Sequence, residues 1–218
     1  PIAEESGLIE ELGQWVLGRA CREAAGWPPS LNVSVNLSAR QFVRGDLVET
    51  VVACLDAAGL PARRLELEIT ESLLMSNTEQ VIQVLHRLGA LGVRIAMDDF
   101  GTGYSSLAYL WRFPFDKVKI DRAFTQHLDK DPKVKLIVRS IVMLAHSLGI
   151  RVNAEGVETD AQLLCLQEHG CDELQGFLLG RPTPGERLQH RGAPEDAQPA
   201  PAGAAIERES LRAERVEL

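Results

Sequence analysis

The sequence predicts an α/β protein whose parallel sheet curls into a (β/α) barrel. Strand-like and helix-like segments alternate strictly along the chain, which is typical of parallel strands joined by right-handed crossovers. Most strand-like segments alternate apolar and polar residues, whereas the strands of a doubly wound open sheet are usually apolar throughout. Because a barrel can enclose a polar interior, this pattern favours the barrel. Six strands are found where a full barrel has eight, so the barrel is expected to be incomplete.

The predicted strands are short runs bounded by glycine, proline or polar turn residues. Residues 65–71 show the period-two alternation most clearly, and residues 93–97 form a mainly apolar run. The six runs cover residues 31–38, 65–71, 93–97, 115–121, 151–158 and 174–179.

Helices are predicted where apolar residues recur at intervals of three and four. The first begins almost at the start of the chain and is ended by residues 26–29 (GWPP), and its apolar face is formed by Leu8, Ile9, Leu12, Trp15, Val16 and Cys21. The strongest covers residues 131–149, and its apolar face is formed by Leu136, Ile137, Ile141, Leu144 and Leu148. The other helices are expected at about 46–58, 77–92, 105–111 and 159–170, with capping pairs Asn77–Gln80 and Thr159–Gln162.

Residues 1–184 are expected to form one domain, because a chain of 218 residues with 45% apolar composition suffices for one full core. Beyond Pro184 the composition changes to Ala, Pro, Glu and Arg, with few large apolar residues. Residues 185–218 are therefore predicted to be a linker or disordered tail, with a weak helix near 206–216.

The chain is acidic, with a net charge of −8 and a pI near 5.2. This charge argues against binding a DNA or RNA polymer, so an anionic ligand would need local positive charge or metal. No run approaches the ~18 apolar residues of a membrane span, so a cytoplasmic location is expected even if a parent protein is membrane-anchored. The four cysteines lack CxxC spacing and are interpreted as reduced core residues, not disulfides or zinc ligands.

Polar side chains collect where the predicted strands end, and the carboxyl ends of parallel strands meet at one rim. Every strand supplies an oxygen ligand or a charge to this rim. In strand order these residues are Asn36; Glu68 and Glu71; Asp98 and Asp99; Lys119 and Asp121; Glu155 and Glu158; and Gln175. Random placement of polar residues would not end all six strands in this way.

Four of these residues, Asn36, Glu68, Asp98 and Glu155, are expected to converge as hard oxygen ligands. Such a set suits Mg²⁺ or Mn²⁺ and not zinc, since no His or Cys accompanies it. A lone lysine is more often a salt-bridge partner, but Lys119 among carboxylates could orient the attacking hydroxide or neutralise developing charge. A pair of such metals suits in-line attack on a phosphodiester.

The Asp98-Asp99 pair stands where the third strand ends and a glycine-bearing loop begins. An isolated pair before glycine is more often a turn cap. Two like charges this close must share a proton or be held by cations, and the other strand ends favour cations. Gly101 and Gly103 would let phosphate approach the loop backbone, although this signal alone is weak. The residues therefore predict a metal-dependent barrel enzyme with an anionic substrate.

Six segments share their sequence, order and spacing with one known family. They are residues 35–42 (VNLSARQF), 65–72 (LELEITES), 98–107 (DDFGTGYSSL), 117–121 (KVKID), 154–159 (AEGVET) and 174–176 (LQG). Together they resemble the EAL-domain family of bacterial cyclic di-GMP phosphodiesterases. The resemblance runs to about residue 184. It implies a TIM-type barrel that hydrolyses cyclic di-GMP to linear pGpG with two Mg²⁺ or Mn²⁺ ions.

The resemblance also implies the metal ligands. Asn36, Glu68 and Asp98 match ligands of the family's first metal. Asp98, Asp99 and Glu155 match the site of the second metal. Asp98 would therefore be shared between the two ions.

The resemblance to the EAL-domain family also implies the roles of five further residues. Lys119 matches the lysine that positions the hydrolytic water, and Asp121 matches a supporting acid, so both join Glu155 as predicted catalytic residues. Glu158 and Gln175 match residues around the metals and substrate. Glu71 matches a glutamate that orders the loop holding the aspartate pair.

One part of the family pattern is not found. The Glu-Ala-Leu signature would lie upstream of Pro1, together with the first two strands of the barrel. We therefore expect an incomplete first metal site and little or no phosphodiesterase activity from this chain alone. The expected partners are cyclic di-GMP, N-terminal sensory or GGDEF domains of a parent protein, and a second copy in a homodimer.

Two alternatives stay open. A catalytically silent cyclic di-GMP receptor would have lost acidic ligands, and within the matched region none is lost. An enolase-like barrel would also carry a lysine pair and carboxylates at strand ends. The Asp98-Asp99 pair and residues 36–42 argue against that second alternative.

Overall fold

The computed structural model describes residues 2–43, 45–76, 78–101, 107–113 and 115–183. The strands are β1 (Val33–Asn36), β2 (Leu65–Thr70), β3 (Arg94–Phe100), β4 (Lys117–Ile120), β5 (Arg151–Ala154) and β6 (Glu173–Leu174). The helices are α1 (Ile2–Glu5), α2 (Leu8–Ala25), α3 (Ala39–Val43), α4 (Leu47–Ala58), α5 (Glu71–Ser76), α6 (Thr78–Ala90), α7 (Leu107–Arg112), α8 (Arg122–Thr125), α9 (Pro132–Ser147) and α10 (Asp160–Glu168). The predicted tail, 185–218, lies outside the described residues.

The described strands form one parallel sheet in the order β1-β2-β3-β4-β5-β6. Side chains from β2, β4 and β6 meet on one face of this sheet, which is therefore curled. Among the described strands, β1 and β6 each pair on one side only. The fold is a half-barrel of six strands with helices outside, which confirms the predicted α/β barrel class.

The convex face of the sheet is apolar and packs against the helices. Its buried side chains include Val33, Val35, Leu65, Leu67, Ile69, Val118, Ile120 and Val152. Burying each of these side chains contributes about 1.5–3 kcal/mol, which is why the apolar half of each alternating strand faces the helices. The polar half must then face the concave side.

The concave face carries paired charges below the strand ends. Glu66 on β2 and Glu173 on β6 both contact the ammonium of Lys117 on β4, at Nζ–O distances of 2.8 and 2.6 Å. Ser34 donates a 3.0 Å hydrogen bond to Glu66, and Arg151 donates a 2.6 Å bond to the other oxygen of Glu173. We call these five residues the inner charged layer. Its two carboxylates and two cations balance one another.

Two predicted helix faces are only partly correct. In α9 the predicted residues Leu136 and Ile137 are 63% and 45% exposed, whereas Ile141 and Leu144 pack against the core as predicted. The fully buried residues of this helix are Val138, Val142 and Ala145. In α2 the predicted residues Leu8, Leu12 and Trp15 are exposed, whereas the predicted Cys21 is buried together with Leu17, Ala20 and Ala24. Both helices carry apolar residues over more than one face, and the smaller ones let each helix approach its neighbours closely.

The last predicted strand, 174–179, is also wrong, because β6 ends at Leu174. A Cβ on Gly176 would lie 2.1 Å from the carbonyl oxygen of Val157, so these two backbones are in direct contact. The N–H of Leu179 then donates to the carbonyl of Gly176, which turns the chain. The strand predicted at 151–158 likewise ends at Ala154.

Helix caps agree with the sequence where the structure describes them. Thr159 and Gln162 form the predicted capping box of α10, and Asp131 caps α9 by accepting from the N–H of Lys133. Asn77 lies outside the described residues. None of the helices in the described part of the chain has the length and apolar composition that a bilayer crossing requires.

Replacing Lys117 with Met is expected to destabilise the fold, because Glu66 and Glu173 then lose their shared cation. Removing one partner of a buried ion pair typically costs about 3–5 kcal/mol. Chemical denaturation followed by circular dichroism measures this change in the free energy of unfolding. Lys135→Met is the matched control, since Lys135 is 47% exposed and 4.0 Å from Glu168. Such exposed pairs contribute at most about 1 kcal/mol, so equal losses in both variants would contradict the prediction.

Candidate active site

Lys119 on β4 lies at the centre of the predicted site, with a side chain that is 2% exposed. Its ammonium donates a 2.7 Å hydrogen bond to Oε2 of Glu68 on β2. The same nitrogen lies 3.0 Å from Oδ1 of Asp98 on β3 and 2.6 Å from Oε1 of Glu155, directly after β5. Four consecutive strands therefore bring one cation and three carboxylates together. We call these four residues the Lys119 cluster.

The parallel register places these side chains on one face of the sheet. Glu68 pairs with Ala96, two positions before Asp98. Lys119 pairs with Asn153, two positions before the last member of the cluster. Residues two apart along a strand face the same way, so the register and the sheet curl together form the cluster.

Burial alone would lower the pKa of Lys119, because a buried ammonium loses its hydration. The negative charges of Glu68, Glu155 and Asp98 outweigh this effect and raise the pKa above its ordinary value. Lys119 is therefore protonated at neutral pH in this arrangement. It can donate hydrogen bonds but cannot accept a proton.

A second acidic group lies beside the cluster. Asp99 has a φ of 55°, which is uncommon for a residue other than glycine. Burial and the neighbouring charges of Asp98 and Asp121 raise the pKa of Asp99. Asp121 also caps α8 by accepting a 2.8 Å hydrogen bond from the N–H of Ala123. The aspartate pair is therefore part of a larger acidic site and not an isolated turn cap.

The site has a large excess of negative charge. Five carboxylates, those of Glu68, Asp98, Asp99, Asp121 and Glu155, accompany one ammonium. Two divalent cations would balance the four excess charges, and carboxylate oxygens are ligands that Mg²⁺ and Mn²⁺ favour. Among the described residues, no three acidic, histidine or cysteine side chains are spaced to hold an ion as they stand. The ammonium lies between the carboxylates, so a cation would compete with it.

The other predicted residues lie at the same rim with different surroundings. Asn36 ends β1 and pairs in register with Glu68, which places it beside the cluster. Glu71 begins α5 and is 5% exposed. Gln175 follows β6, and its backbone pairs with the loop after β5. The side chain of Glu158 is exposed and makes no hydrogen bond or ion pair within the described residues, so it does not join the cluster.

The inner charged layer and Asn153 have no predicted role in the sequence. Period-two alternation does place Lys117 on the face of Lys119, so the signal is present in the sequence. Asn153 is 2% exposed, and its Oδ1 has no hydrogen-bond partner among the described residues. Because Asn153 lies two positions before Glu155, period-two alternation indicates that the polar face of the strand continues below the rim.

The family model of the EAL domain matches residues 1–182. The chain belongs to the EAL-domain family. Membership confirms the resemblance found in the sequence and agrees with acidic residues collected at the carboxyl ends of a parallel barrel.

Several relatives of this chain are much longer proteins. An uncharacterized signaling protein of Caulobacter vibrioides is 52% identical, over 86% of this chain and 23% of that protein. MucR of Pseudomonas aeruginosa, a bifunctional diguanylate cyclase/cyclic di-GMP phosphodiesterase, is 47% identical over 86% of this chain and 28% of its own length. NbdA of the same organism, a cyclic di-GMP phosphodiesterase, is 46% identical over 84% and 24%. The chain spans about a quarter of the length of these relatives.

Solved EAL structures share the fold. The MucR phosphodiesterase of Pseudomonas aeruginosa in complex with cyclic di-GMP has a TM-score of 0.82 and 47% identity, covering 86% of this chain and 78% of that chain. BlrP1 of Klebsiella pneumoniae, in complex with manganese and cyclic di-GMP, has a TM-score of 0.73 and 33% identity, covering 78% and 44%. These similarities confirm the TIM-like barrel class of the EAL chain.

Replacing Lys119 with Met is expected to destabilise the metal-free EAL chain, because three crowded carboxylates lose their shared cation. The free energy of unfolding should fall by about 3–5 kcal/mol. Added Mn²⁺ should raise the melting temperature of this variant more than that of the wild type, because the ion no longer competes with the ammonium. Thermal unfolding in EDTA and in Mn²⁺ measures both effects.

Lys117→Met is the matched control for this experiment. It also removes a buried ammonium, but from the inner charged layer and not from the Lys119 cluster. Mn²⁺ should shift its melting temperature no more than it shifts that of the wild type. Equal Mn²⁺ shifts in both variants would contradict competition between the ion and the Lys119 ammonium.

Proposed function

We propose that this EAL chain carries a metal-dependent phosphodiesterase site that hydrolyses cyclic di-GMP to linear pGpG in bacterial second-messenger signalling. The observation that carries the proposal is the Lys119 cluster, in which one buried ammonium contacts three carboxylates from neighbouring strands. Its acidic surroundings suit divalent cations, and MucR and NbdA are named as cyclic di-GMP phosphodiesterases.

Two groups of residues would hold two Mg²⁺ or Mn²⁺ ions. Asn36, Glu68 and Asp98 would hold the first, and Asp98, Asp99 and Glu155 the second. When bound, such ions neutralise charge on the phosphate and lower the pKa of a coordinated water. The all-oxygen donor set and the excess negative charge support this assignment, and the BlrP1 complexes with manganese and with calcium show related proteins binding divalent ions.

The chain's own residues would orient the reaction. Hydrolysis forms one bond from a water oxygen to phosphorus and breaks the bond from phosphorus to the ribose 3′ oxygen, which takes up a proton. Lys119 would donate a hydrogen bond to the attacking water and keep it in line with the departing oxygen. Asp121 would accept a hydrogen bond beside Asp99, and Glu71 would order the loop that holds the aspartate pair.

The ligand, partners and location are also part of this proposal. Cyclic di-GMP is the expected ligand, and complexes of related EAL proteins with it support that choice. A DNA or RNA polymer is not expected as a partner, because the chain has a net charge of −8. Linked sensory or GGDEF domains, a homodimer, a cytoplasmic location, and the roles of Glu158 and Gln175 near the metals and substrate stay predictions.

A single-turnover assay tests the proposed function. The 218-residue chain, in excess over cyclic di-GMP, is incubated with Mn²⁺, and the products are separated by chromatography. Excess protein makes even a slow reaction measurable. The expected result is pGpG formation that EDTA abolishes and that Lys119→Met slows by at least about 100-fold, since the positioned donor is lost.

Lys135→Met is the control for that assay, because it removes an exposed lysine near the start of α9, outside the Lys119 cluster, and should leave the rate unchanged. Binding of cyclic di-GMP is measured in parallel by calorimetry. Bound nucleotide recovered intact throughout the incubation would contradict hydrolysis by the chain and favour the silent receptor. Absence of both binding and hydrolysis would contradict both functions.

A further inference from the structure

We propose that α8 acts as a wedge that sets the positions of Asp98, Asp99 and Glu155 around Lys119. The wedge is residues 122–125, directly after Asp121. On one side it contacts the loop that follows β3, and on the other side it contacts the loop that follows β5. This inference rests on the proposed function, because it assigns positioning residues to the same site.

The first contact joins the wedge to the aspartate pair. Gly101 follows Asp99 by two residues and has a φ of +94°. A Cβ on Gly101 would lie 2.8 Å from Cε2 and 2.9 Å from Cζ of Phe124, so the ring packs directly on the glycine backbone. No side chain fits between them. The ring therefore limits how far the end of β3 can move toward α8.

The second contact joins the wedge to Glu155. Gly156, the next residue, has a φ of +69°. A Cβ on Gly156 would lie 2.5 Å from Cβ and 3.3 Å from Cα of Arg122. Because the contact includes the backbone of α8, rotation of the Arg122 side chain cannot relieve it. The loop carrying Glu155 is therefore fixed against the first residue of the wedge.

The wedge is itself anchored to the strand that carries Lys119. The Asp121 side chain accepts a 2.8 Å hydrogen bond from the N–H of Ala123, which closes the first turn of α8. The N–H of Glu155 donates a 3.0 Å hydrogen bond to the carbonyl of Ile120, the residue between Lys119 and Asp121 in the sequence. One short segment thus connects β4 to both acidic loops. Loss of the Phe124 contact would leave the 3.0 Å separation of Lys119 Nζ and Asp98 Oδ1 without this support.

Phe124→Ala tests the wedge, with Phe124→Leu as the conservative variant. Calorimetric titration with Mn²⁺ should show affinity about 10–100-fold weaker for the alanine variant, because groups that orient metal ligands typically have effects of this size. The leucine variant should recover part of the loss. Hydrogen–deuterium exchange of the metal-free protein should be faster at residues 98–101 and unchanged in β1.

Phe115→Ala is the matched control. Phe115 is 5% exposed, pairs with Phe113 at 5.3 Å between ring centroids, and lies before the amino end of β4, away from the rim. It should lower the melting temperature at least as much as Phe124→Ala but leave Mn²⁺ affinity unchanged. If both variants weaken Mn²⁺ binding equally, Phe124 acts through general stability and the wedge is refuted.

A double-mutant cycle tests the contact itself. Gly101→Ala should weaken Mn²⁺ binding in the wild type, because the new methyl group meets the Phe124 ring. The same substitution should cost less in the Phe124→Ala background, where no ring is present. Purely additive effects would overturn the proposal.

The exchange measurement separates this inference from the proposed function. If the wild-type chain binds no Mn²⁺, the proposed metal site fails, but faster exchange at residues 98–101 in Phe124→Ala still supports the wedge. If the wild type binds Mn²⁺ and Phe124→Ala neither weakens that binding nor speeds exchange, the proposed function stands and the wedge falls.

Discussion

The ammonium of Lys119, enclosed by three carboxylates, is the interaction on which the candidate site depends. A buried cation is costly unless oppositely charged groups contact it, and buried carboxylates repel one another unless a cation lies between them. Each group in the cluster therefore makes the burial of the others tolerable. Lys119 on β4 contacts all three carboxylates because the curled parallel sheet brings the ends of β2, β3 and β5 close to it.

The concave face divides into two levels with different charge. The inner charged layer pairs two carboxylates with two cations through Lys117 and Arg151 and is balanced within itself. The level above it, at the strand ends, has five carboxylates and one ammonium. A balanced layer serves stability, whereas an excess of carboxylates favours the binding of cations. The proposed metal chemistry follows from that imbalance.

Much of the fold could be predicted from sequence because each strand and most helices have a strong local signal. Alternation placed β2 within one residue and β4 within two residues of their observed bounds. The errors arise where contacts between segments distant in sequence determine the structure. In α9, Leu136 and Val138 are both apolar, and only the sheet determines which of them packs inward. Gly176 ends β6 early through a contact with Val157, a residue nineteen positions away that no local pattern reports.

The sequence by itself determined which residue types end each strand and which family the chain resembles, because both are properties of linear order. Only the tertiary structure decided that Glu68, Asp98 and Glu155 share one ammonium while Glu158 stays exposed. It also decided that Gly101 and Gly156 both meet α8. Such relations depend on register, sheet curl and close approach between segments distant in sequence, and these arise only when the chain packs.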